Sequence, residues 1–563
     1  MVSSVRLEGH SKLWFWAALS ISLYFSWVSV GFAFSQPFIV QDDVRQHIVW
    51  MQRFIDPTLF PGDLIADYYQ SQSPEIFQVL YRGAALLHIA PLTFAKLLPI
   101  PLGVIASAYY FSVCLELFPV PAGAFLSTLI FNQTVWLKGD VISATPRALL
   151  YPLFTAFLYY VLRDRIWPCF VIVALSFCYP TLALTEVAIV TVRLAQGWPM
   201  RPRLSPDRRR WLLWLGAMVV AVVFIAPRLL QDSDFGPIVS AAQMHQMPEY
   251  QAGGRAQYFG VQPFDFWMGG RSGLHIPTYP PVLLLGLGLP WVRKTKLAWV
   301  ESIQDQIAIL WDILLASVGL YAIAHLTLLT LYFPSRYTGH SFRFILCFAS
   351  GIVVTIWLQA LWQWLQALPQ RQKWPALKQG VWLVPVIVFA IASLIVPSLP
   401  SIFVPAHGWI VGAEPQLYTF MAQQPQESLV ASLSGEADNL PAFSERSTLV
   451  GREFAIPFHL GYYQRIKERA IDLIRAQYSP DLKAAKAAIQ TYGIDFFLVD
   501  QAAFTPEYIR QNKWLTQYQP ATDDAIATLE AKQTPALQSA QGCSVFSNDR
   551  LFVLDAVCLL QQP

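Results

Sequence analysis

Charged residues are scarce in this sequence: Asp, Glu, Lys and Arg make up 13% of its 563 residues, about half of their usual share in soluble globular domains. Hydrophobic residues make up 55%, and the mean hydropathy is +0.41. This composition excludes an ordinary soluble globular protein and predicts a polytopic α-helical membrane protein. The net charge of +3 gives no indication of a nucleic-acid partner, and we expect no nucleic acid to bind.

Cysteine is also sparse, and the six cysteines fall into two groups. Four lie in hydrophobic segments, where we expect them to pack as small apolar residues. Cys543 and Cys558 lie in the polar tail, on either side of a hairpin-like sequence. They are a disulfide candidate if that tail faces an oxidising compartment. The tail contains no Walker, Rossmann or zinc motif, and no internal repeat is evident in the chain.

The first hydrophobic segment runs from Leu13 to Val40 without a charged residue. Its length, and the lack of an A-x-A-like site close behind it, favour a retained span over a cleaved signal peptide. A charged cluster, Gln41 to Ile48, follows directly. Its apolar residues continue at helical spacing as Val44, Ile48, Met51 and Ile55, which predicts an amphipathic helix at 43–55 along the membrane surface.

Further apolar segments up to residue 404 give about eleven transmembrane helices, if 78–117 forms one span broken at Pro91 and Pro99. Whether 78–117 is one span or two stays open. Basic clusters follow alternate spans and fall on one side of the membrane, which is cytoplasmic by the positive-inside rule. These clusters are Arg6 and Lys12; Arg163 and Arg165; Arg193, Arg201, Arg203 and Arg208 to Arg210; Arg293, Lys294 and Lys296; and Arg371, Lys373 and Lys378.

This orientation places the N-terminus in the cytoplasm and divides the chain into two domains. Residues 1–404 form a transmembrane domain, with extracytoplasmic loops at 37–77, 137–147, 230–280 and 334–341. Residues 405–563 have soluble composition and are predicted to form a small extracytoplasmic α/β domain. Its strands are expected at Leu429–Leu433, Thr448–Val450, Phe496–Val499, Ser544–Phe546 and Leu551–Leu554, and its helices at 458–477 and 480–492.

Asp42 and Asp43 are the first candidates for chemistry, because ionisable residues at a membrane face are often functional. One of them could serve as a general base, with or without a metal held by the pair. Alternatively, Asp42 is the N-cap of the following helix and Asp43 stabilises its positive end. His47 lies one helical turn after Asp43 and could share the site or be structural.

Two further loops on the same predicted face carry polar candidates. Asp140 could be a second acidic group or position an acceptor, and Arg147 could face an anionic headgroup or only snorkel at a helix end. In the other loop, Arg336 lies close to His340 and Arg343. Three cationic groups on the face opposite the cytoplasmic clusters favour phosphate binding, for which the planar guanidinium is well suited.

The long loop near 232–279 contains several aromatic residues beside Gly253-Gly254 and Gly269-Gly270. These aromatics either line a substrate cleft or form a belt in the membrane interface, and the sequence does not separate the two. Loops of this length are usually functional or disordered.

Together these features resemble the GT-C superfamily of integral-membrane glycosyltransferases. The resemblance rests on Asp42-Asp43 after the first span, the segment Gly139-Asp140 to Arg147, Pro334-Ser335-Arg336-Tyr337, and the tail segment 492–500, which is similar to tails of uncharacterised bacterial members. It implies an inverting transfer of a hexosyl or pentosyl group from a polyprenyl-phosphate-linked sugar to an extracytoplasmic glycan, lipid or protein acceptor. A bacterial inner (plasma) membrane is the implied location, with membrane lipids as surroundings.

The resemblance also implies roles for individual residues. Asp42 or Asp43 would be the base, with His47 and Asp140 positioning the acceptor or donor. Arg336, with Arg343, Arg147 or His340, would stabilise the leaving phosphate. The sequence has no D-x-D after the first span, only adjacent carboxylates, which point in different directions on a helix. A divalent metal such as Mg²⁺ or Mn²⁺, and a metal-independent base, therefore both stay open.

Two other classes of protein remain as alternatives. A transporter or flippase of a lipid-linked precursor would be expected to place polar residues within its spans and to show related halves. A non-catalytic membrane assembly protein with a degenerate site is the third possibility. The gathering of unusual polar residues at one face favours the enzyme.

Overall fold

The computed structural model describes residues 2–196, 203–230, 233–328, 330–367 and 383–563. Arg201, Asp232, the cluster Arg371, Lys373 and Lys378, and the start of the apolar segment 381–404 lie outside these residues. The described chain is mostly helical.

The first two thirds of the chain consist of α-helices joined by short turns, two small two-stranded sheets and several 3₁₀ segments. The helices are α1 (Val2–Ala33), α2 (Asp42–His47), α3 (Leu64–Gln72), α4 (Glu75–Leu86), α5 (Pro91–Leu97), α6 (Pro99–Leu117), α7 (Pro121–Trp136), α8 (Leu150–Leu162), α9 (Ile166–Ser176), α10 (Pro180–Leu194), α11 (Arg208–Leu230), α12 (Ala241–Gln246), α13 (Pro263–Met268), α14 (Leu289–Val292), α15 (Ile309–Leu326), α16 (Ser335–Ala367), α17 (Leu383–Ile395) and α18 (Pro400–Phe403).

Four helical segments of the described chain are long and apolar enough to cross a membrane: Ser11–Ala33, Pro91–Leu117, Asp305–Leu326 and Ser335–Gln366. The count of about eleven spans stays a prediction. In the region that the sequence left open, the chain turns at His88, which has a positive φ of 59°. The helix α4 before this turn is therefore separate from the candidate span Pro91–Leu117.

The helix α16 lies at the centre of the packing, in contact with α7, α15 and the 3₁₀ segment Pro281–Gly288, while α1 packs against α6 and α7. The expected loop at 334–341 is wrong in its extent, because α16 begins at Ser335, directly after Pro334. Proline is well tolerated at the start of a helix, where no intrahelical N–H donor is needed. As a result, Arg336, His340 and Arg343 lie at spacings of four and three on one helix face.

The segment after α1 is joined to a much later part of the chain. Strand β1 (Ile39–Gln41) pairs antiparallel with β4 (Trp409–Val411), and the Asp42 N–H donates to the Gly408 carbonyl at 2.9 Å. Between them in sequence, β2 (Ala195–Gln196) pairs with β3 (Arg203–Leu204). The β1–β4 pairing fixes the start of α2 against the region that follows the last apolar helices.

The helix expected at 43–55 is shorter than predicted. The α-helix α2 ends at His47, and a 3₁₀ segment, Val49–Phe54, continues it. Its apolar residues Val44, Ile48 and Met51 are buried in the protein core rather than presented to lipid. After His47 the chain adopts the narrower 3₁₀ helix instead of the predicted α-helix. The apolar residues of this segment still face the same core.

The chain after β4 forms a five-stranded sheet with helices packed around it. Its helices are α19 (Pro415–Ala422), α20 (Leu440–Phe443), α21 (Leu460–Tyr478), α22 (Lys483–Tyr492), α23 (Pro506–Gln511), α24 (Ala521–Glu530), α25 (Ala536–Ser539) and α26 (Ala556–Gln561). Its strands are β5 (Leu429–Ser432), β6 (Ser447–Thr448), β7 (Phe496–Asp500), β8 (Ser544–Ser547) and β9 (Leu551–Asp555), in the order β6-β5-β7-β9-β8.

The sheet is mixed: β5 runs parallel to β6 and β7, whereas β9 is antiparallel to β7 and β8. Strands therefore occur in each of the five segments where the sequence predicts them. Cys543, beside β8, and Cys558, in α26, are joined by a disulfide with a Cα–Cα distance of 5.5 Å. The other four cysteines are free and buried.

Candidate active site

Four charged side chains from three separate segments form a continuous ion-pair network. Asp43, in the first turn of α2, accepts a hydrogen bond from Arg147 Nη2. Arg147 Nε lies 3.2 Å from Asp140 Oδ1, close enough for an ion pair although not aligned as a hydrogen bond. Arg343 Nη1, from α16, donates to Asp140 Oδ2 at 3.1 Å. Acidic and basic side chains thus alternate in this network, whose first and last members, Asp43 and Arg343, are 300 residues apart in the sequence.

Asp140 is the centre of this network and only 2% of its surface is exposed. The Tyr151 hydroxyl donates to Asp140 Oδ2 at 2.6 Å, and the same hydroxyl accepts from Arg343 Nη1 at 2.6 Å. His340 Nδ1 lies 3.7 Å from Asp140 Oδ2 without forming a hydrogen bond. A buried carboxylate with this many partners is an ionised structural centre.

The turn that carries Asp140 depends on the glycine before it. Gly139 has a φ of +69°, and a Cβ at this position would meet the His407 carbonyl oxygen at 2.8 Å. Glycine is therefore required both by the backbone conformation and by the close approach of the neighbouring chain. The contact sets the Asp140 turn beside His407 and Gly408, which also hold the start of α2.

The electrostatic surroundings keep both network carboxylates ionised. Burial alone would raise the pKa of Asp43, but the charges of Arg147, His47 and Arg336 outweigh it and lower that pKa below its ordinary value. For Asp140, burial is likewise outweighed, chiefly by Lys138 and Arg147, and its pKa lies well below the ordinary range. Neither carboxylate holds a proton near neutral pH.

Asp42 does not join this network. The expectation that it caps the helix is wrong, because Gln41 is the N-cap: its side-chain oxygen accepts from the Asp43 N–H at 2.8 Å. The Asp42 carboxylate instead pairs with Arg45, three residues along the same helix. Asp43, with its carboxylate in the first turn of α2, remains placed to interact with the positive helix end.

A second polar cluster surrounds this Asp42–Arg45 pair. Glu453, from the segment before α21, is buried and accepts from Arg255 and from Gln46. Arg45 Nη2 lies 3.5 Å from Glu453 Oε2, and Arg45 Nη1 donates to Asn439 at 3.0 Å. The cluster joins α2 to the long loop and to the C-terminal sheet region.

The two adjacent carboxylates do not fit a shared metal site. Each is ion-paired with a different arginine, Asp42 with Arg45 and Asp43 with Arg147, so the two carboxylates point in different directions. Within the described ranges, no group of three or more His, Cys, Asp or Glu side chains is placed to hold a metal ion. We derive no step through a metal.

His47 is half-buried and packs edge-on against the ring of Tyr69, with centroids 5.7 Å apart. Burial lowers its pKa below the ordinary histidine value, although the nearby charge of Asp43 acts in the opposite direction. The imidazole is therefore neutral at neutral pH. It lies beside Asp43 without adding a positive charge.

Three cations beside the network have no carboxylate within 4 Å among the residues that the structure describes: Lys138, Arg271 and Arg336. The Arg336 guanidinium is partly exposed, and its charge reaches Asp43, His47 and Lys138. Arg147 and Arg343 are already balanced by Asp43 and Asp140. The three remaining cations are therefore a local excess of positive charge.

Arg271 comes from the long loop and is held by aromatic rings rather than by an acid. Its guanidinium lies 4.8 Å from the ring centroid of Phe333 and 5.6 Å from that of Phe458. The Ser335 N–H donates to the Arg271 carbonyl at 3.2 Å, which ties Arg271 to the start of α16. Burial, Arg336 and Arg255 lower its pKa from the ordinary value, but a guanidinium keeps its charge at physiological pH.

Lys138 approaches the first turns of α16 from the other side. A Cβ built on Gly339 would lie 4.0 Å from Lys138 Nζ and 3.4 Å from the His275 Cβ. The Lys138 side chain is exposed to solvent. Partial desolvation by the nearby protein, and then the positive charge of Arg343, lower the pKa of Lys138 to about 7.

An apolar recess leads away from Arg336 and His340 between α8, α10 and α16. Its walls are formed by Leu150, Phe154, Leu182 and Phe344, with Thr181, Thr185 and Ser341. Arg336 thus lies where the polar cluster meets a small recess with mostly apolar walls.

Most of the candidate residues named from the sequence lie in or beside this ion-pair network. Their individual partners could not be predicted from their positions in the sequence. The sequence assigned no role to Lys138 and Arg271, although both are cations next to a glycine in loops predicted to be extracytoplasmic. Tyr151, Arg45 and Glu453 were also missed. Only the Asp42–Arg45 spacing of three on a helix was a readable signal.

No family model and no curated protein matches this sequence. Similar solved structures include the apo oligosaccharyltransferase of Archaeoglobus fulgidus, which is 12% identical. The match covers 89% of this chain and 72% of that chain, with a TM-score of 0.44. AglB from the same organism, in complex with an inhibitory peptide and a dolichol-phosphate, is 12% identical, covers 90% of this chain and 72% of its own, and has a TM-score of 0.45.

ArnT from Cupriavidus metallidurans in the apo state is 13% identical and covers 97% of this chain and 98% of that chain, with a TM-score of 0.47. Because these identities and TM-scores are low, we base the functional proposal on the residues of the site.

Proposed function

We propose that this protein is a membrane glycosyltransferase that moves a sugar from a polyprenyl-phosphate-linked donor to a hydroxyl acceptor, with inversion at the sugar carbon. One observation carries the proposal. Among the residues that the structure describes, Lys138, Arg271 and Arg336 have no carboxylate within 4 Å; Arg271 and Arg336 interact with Asp43, a carboxylate that stays ionised, and Lys138 interacts with Arg336. An anion site next to a proton acceptor is what transfer from a phosphate-linked sugar requires.

The uncompensated cations suit a phosphate better than a carboxylate. Two guanidinium groups and one ammonium converge from the long loop, from α16 and from the turn after α7. Guanidinium groups present pairs of N–H donors that match phosphate oxygens, and the ammonium adds a compact charge. The first turn of α16, which carries Arg336, contributes the partial positive charge of a helix N-terminus.

In the proposed reaction, the acceptor hydroxyl oxygen forms a bond to the sugar C1 as the bond from C1 to the phosphate oxygen breaks. The hydroxyl proton passes to the Asp43 carboxylate. The bonding electron pair leaves with the polyprenyl phosphate, whose growing negative charge is stabilised by Arg336, Arg271 and Lys138. The products are the glycosylated acceptor and the lipid phosphate, and Asp43 then releases its proton to solvent.

Arg147, Arg343 and Asp140 are proposed here as positioning residues. Arg147 is bound on both sides by carboxylates, and Arg343 by Asp140 and Tyr151, so neither guanidinium is free for a phosphate without breaking an ion pair. Their effect is to hold Asp43 at a fixed place beside the cations. His340 lies at the edge of the same network.

The apolar recess beside Arg336 and His340 is the proposed place for the first isoprene units of the donor. Its lining by Leu150, Phe154, Leu182 and Phe344 supplies an apolar surface that begins where the cations end. If the donor phosphate binds Arg336, the hydrocarbon chain of the lipid would lie next to α8 and α10.

The topology remains part of the proposal. We place the N-terminus in the cytoplasm of a bacterium and the site at the extracytoplasmic face of its inner membrane. Residues 405–563 form the proposed extracytoplasmic α/β domain, which the Glu453 cluster connects to α2. The alternative function as a transporter does not explain why an ionised carboxylate, Asp43, lies beside an anion site at one face of the membrane. A non-catalytic assembly protein does not account for three cations that have no carboxylate within 4 Å among the described residues.

The adjacent carboxylates provide a matched pair of variants to test this proposal. In proteoliposomes supplied with the lipid extract and envelope fraction of the native cells, Asp43→Asn should lower glycosyl transfer by about 10²–10⁴-fold. Asp42→Asn changes the neighbouring residue, which faces Arg45, and should retain most of the transfer. Equal transfer by wild type and Asp43→Asn would overturn the assignment of the base.

Donor binding is tested separately from chemistry. Arg336→Gln should weaken the binding of a lipid-linked phosphate, whereas Arg465→Gln, an exposed arginine on α21, should leave it unchanged. Unchanged affinity in Arg336→Gln would count against the proposed phosphate site.

A further inference from the structure

We propose that the surface formed by Val261, Phe264, Trp267 and Met268 inserts into the interfacial region of the lipid bilayer. We call it the α13 surface. The proposal concerns the long loop between α11 and α15 and does not depend on glycosyl transfer. The sequence left open whether the aromatic residues of this loop line a cleft or meet the membrane.

The α13 surface is apolar and uncovered. Val261 is 80% exposed, Phe264 70%, Trp267 54% and Met268 42%. Phe264, Trp267 and Met268 have helical spacings of three and four, so they share one face of α13. A cluster of large apolar side chains on one face is a recognition surface for lipid or for a partner, unlike single exposed residues.

The α13 surface is held firmly to the end of α15. The Ser272 hydroxyl donates to the Phe266 carbonyl at 2.8 Å, and the Tyr321 hydroxyl, from α15, donates to the Ser272 carbonyl at 2.9 Å. The ring centroids of Phe266 and Trp267 lie 5.6 Å and 5.8 Å from that of His325. The loop therefore has a fixed height relative to α15.

The α13 surface lies level with the end of a candidate membrane span. The segment Asp305–Leu326 is long and apolar enough to cross the bilayer, and it ends at Leu326, which is 85% exposed. Ile323, one turn before it, is also exposed at 46%. The exposed apolar surface of the span is thus continuous with the α13 surface, and this continuity points to lipid rather than to a protein partner.

The chemistry of the α13 surface agrees with an interfacial position. Tryptophan is enriched at membrane–water interfaces, where its large ring meets lipid while its N–H reaches polar groups. Asp265, on the same short helix, is exposed and lies at the edge of this face, three residues before Met268, where its carboxylate meets the polar side of the interface. A short amphipathic segment of this kind lies in the interface rather than crossing the membrane.

Insertion of the α13 surface would also fix the depth of Arg271 relative to the lipid bilayer. This residue follows α13 by three positions and is tied to the start of α16 through the Ser335 N–H. An anchored α13 therefore keeps a cation at the level of the lipid headgroups, where phosphates lie.

Site-directed spin labelling in lipid nanodiscs tests the insertion on the full chain. The four free cysteines are buried, so a single introduced cysteine can be labelled selectively. The test site is Phe264→Cys, with Val261→Cys as a second position. The references are Val318→Cys, which is 41% exposed on the candidate span α15, and Asp523→Cys, which is exposed on α24.

The nanodiscs contain phosphatidylethanolamine and phosphatidylglycerol, and the relaxation of each label is measured with oxygen and with a water-soluble nickel chelate. The ratio of oxygen to nickel accessibility at 264 and 261 should lie between those at 318 and 523, and above that at 523 by at least about threefold. A ratio at both test positions equal to that at 523 would overturn the proposal. So would a label at both positions that neither reagent reaches, since that would indicate a protein partner.

Discussion

If the proposed anion site holds the donor phosphate, we expect donor binding to depend on pH near neutrality, because the pKa of Lys138 is lowered to about 7. A lysine with a pKa of about 7 is protonated in roughly nine molecules of ten at pH 6 and in about one of ten at pH 8. If the bound phosphate requires the charged form, the Kd for the donor should rise about tenfold between these two values. The sign follows from the lysine: affinity is greatest below its pKa and is lost as the pH rises through it.

The probe for this measurement is an isoprenyl methyl phosphate diester, because its phosphate keeps one negative charge throughout the range. Its affinity for the protein in nanodiscs is measured by isothermal titration calorimetry at pH 6, 7 and 8. Asp43 does not confuse the result, since Arg147 and its other neighbours hold its pKa below the ordinary aspartate value despite burial. Burial also lowers the pKa values of His47 and His275 from the ordinary histidine value.

Two variants of Lys138 complete the design. Lys138→Arg keeps its charge at every pH used, so its Kd should no longer depend on pH. Lys138→Gln removes a charged hydrogen bond, which costs about 1.5–3 kcal/mol, so its Kd at pH 6 should be roughly 10- to 150-fold higher. A wild-type Kd that is constant between pH 6 and 8, or a pH dependence that persists in Lys138→Arg, would refute the placement of Lys138 in the anion site.

Three other predictions concern the parts that hold the site together. Asp140→Asn leaves Arg147 and Arg343 without their shared partner and should lower the unfolding free energy by about 3–5 kcal/mol, seen as a lower Tm in detergent; an unchanged Tm would contradict the role of Asp140. Glu453→Gln should speed hydrogen exchange of the 42–54 backbone, because Arg45 and Arg255 lose their carboxylate, and exchange equal to wild type would argue against this connection. Reducing the Cys543–Cys558 bridge, which closes a loop of 15 residues, should cost about 3 kcal/mol; free thiols at both Cys543 and Cys558 in peptide masses of the non-reduced protein would contradict the bridge.

Local features of the fold could be predicted from the sequence. The β-branched and aromatic runs at Leu429–Ser432 and Phe496–Asp500 become strands, because such residues fit a half-buried pleated surface. The charge-free run from Leu13 becomes part of a candidate span for the same reason that composition predicts a membrane protein. These outcomes depend on neighbours in sequence.

The site could be predicted less well, since its pairings join distant parts of the chain. Asp43 and Arg147 are 104 residues apart, and Asp140 and Arg343 are 203 apart. Nothing in the sequence shows that these arginines are neutralised while Arg271 and Arg336 are not. The capping of α2 by Gln41 was missed because glutamine is an uncommon N-cap beside two aspartates.

The central claim is that Lys138, Arg271 and Arg336, which have no carboxylate within 4 Å among the described residues, hold a lipid-linked phosphate. Native mass spectrometry of the wild-type protein, released from its own membrane into mild detergent, tests it most directly. We expect a bound species whose mass contains an isoprenoid chain, a phosphate and a sugar, and we expect it to be absent from the triple variant Lys138→Gln, Arg271→Gln, Arg336→Gln. A wild-type protein without such a species, or a triple variant that retains it, would contradict the account.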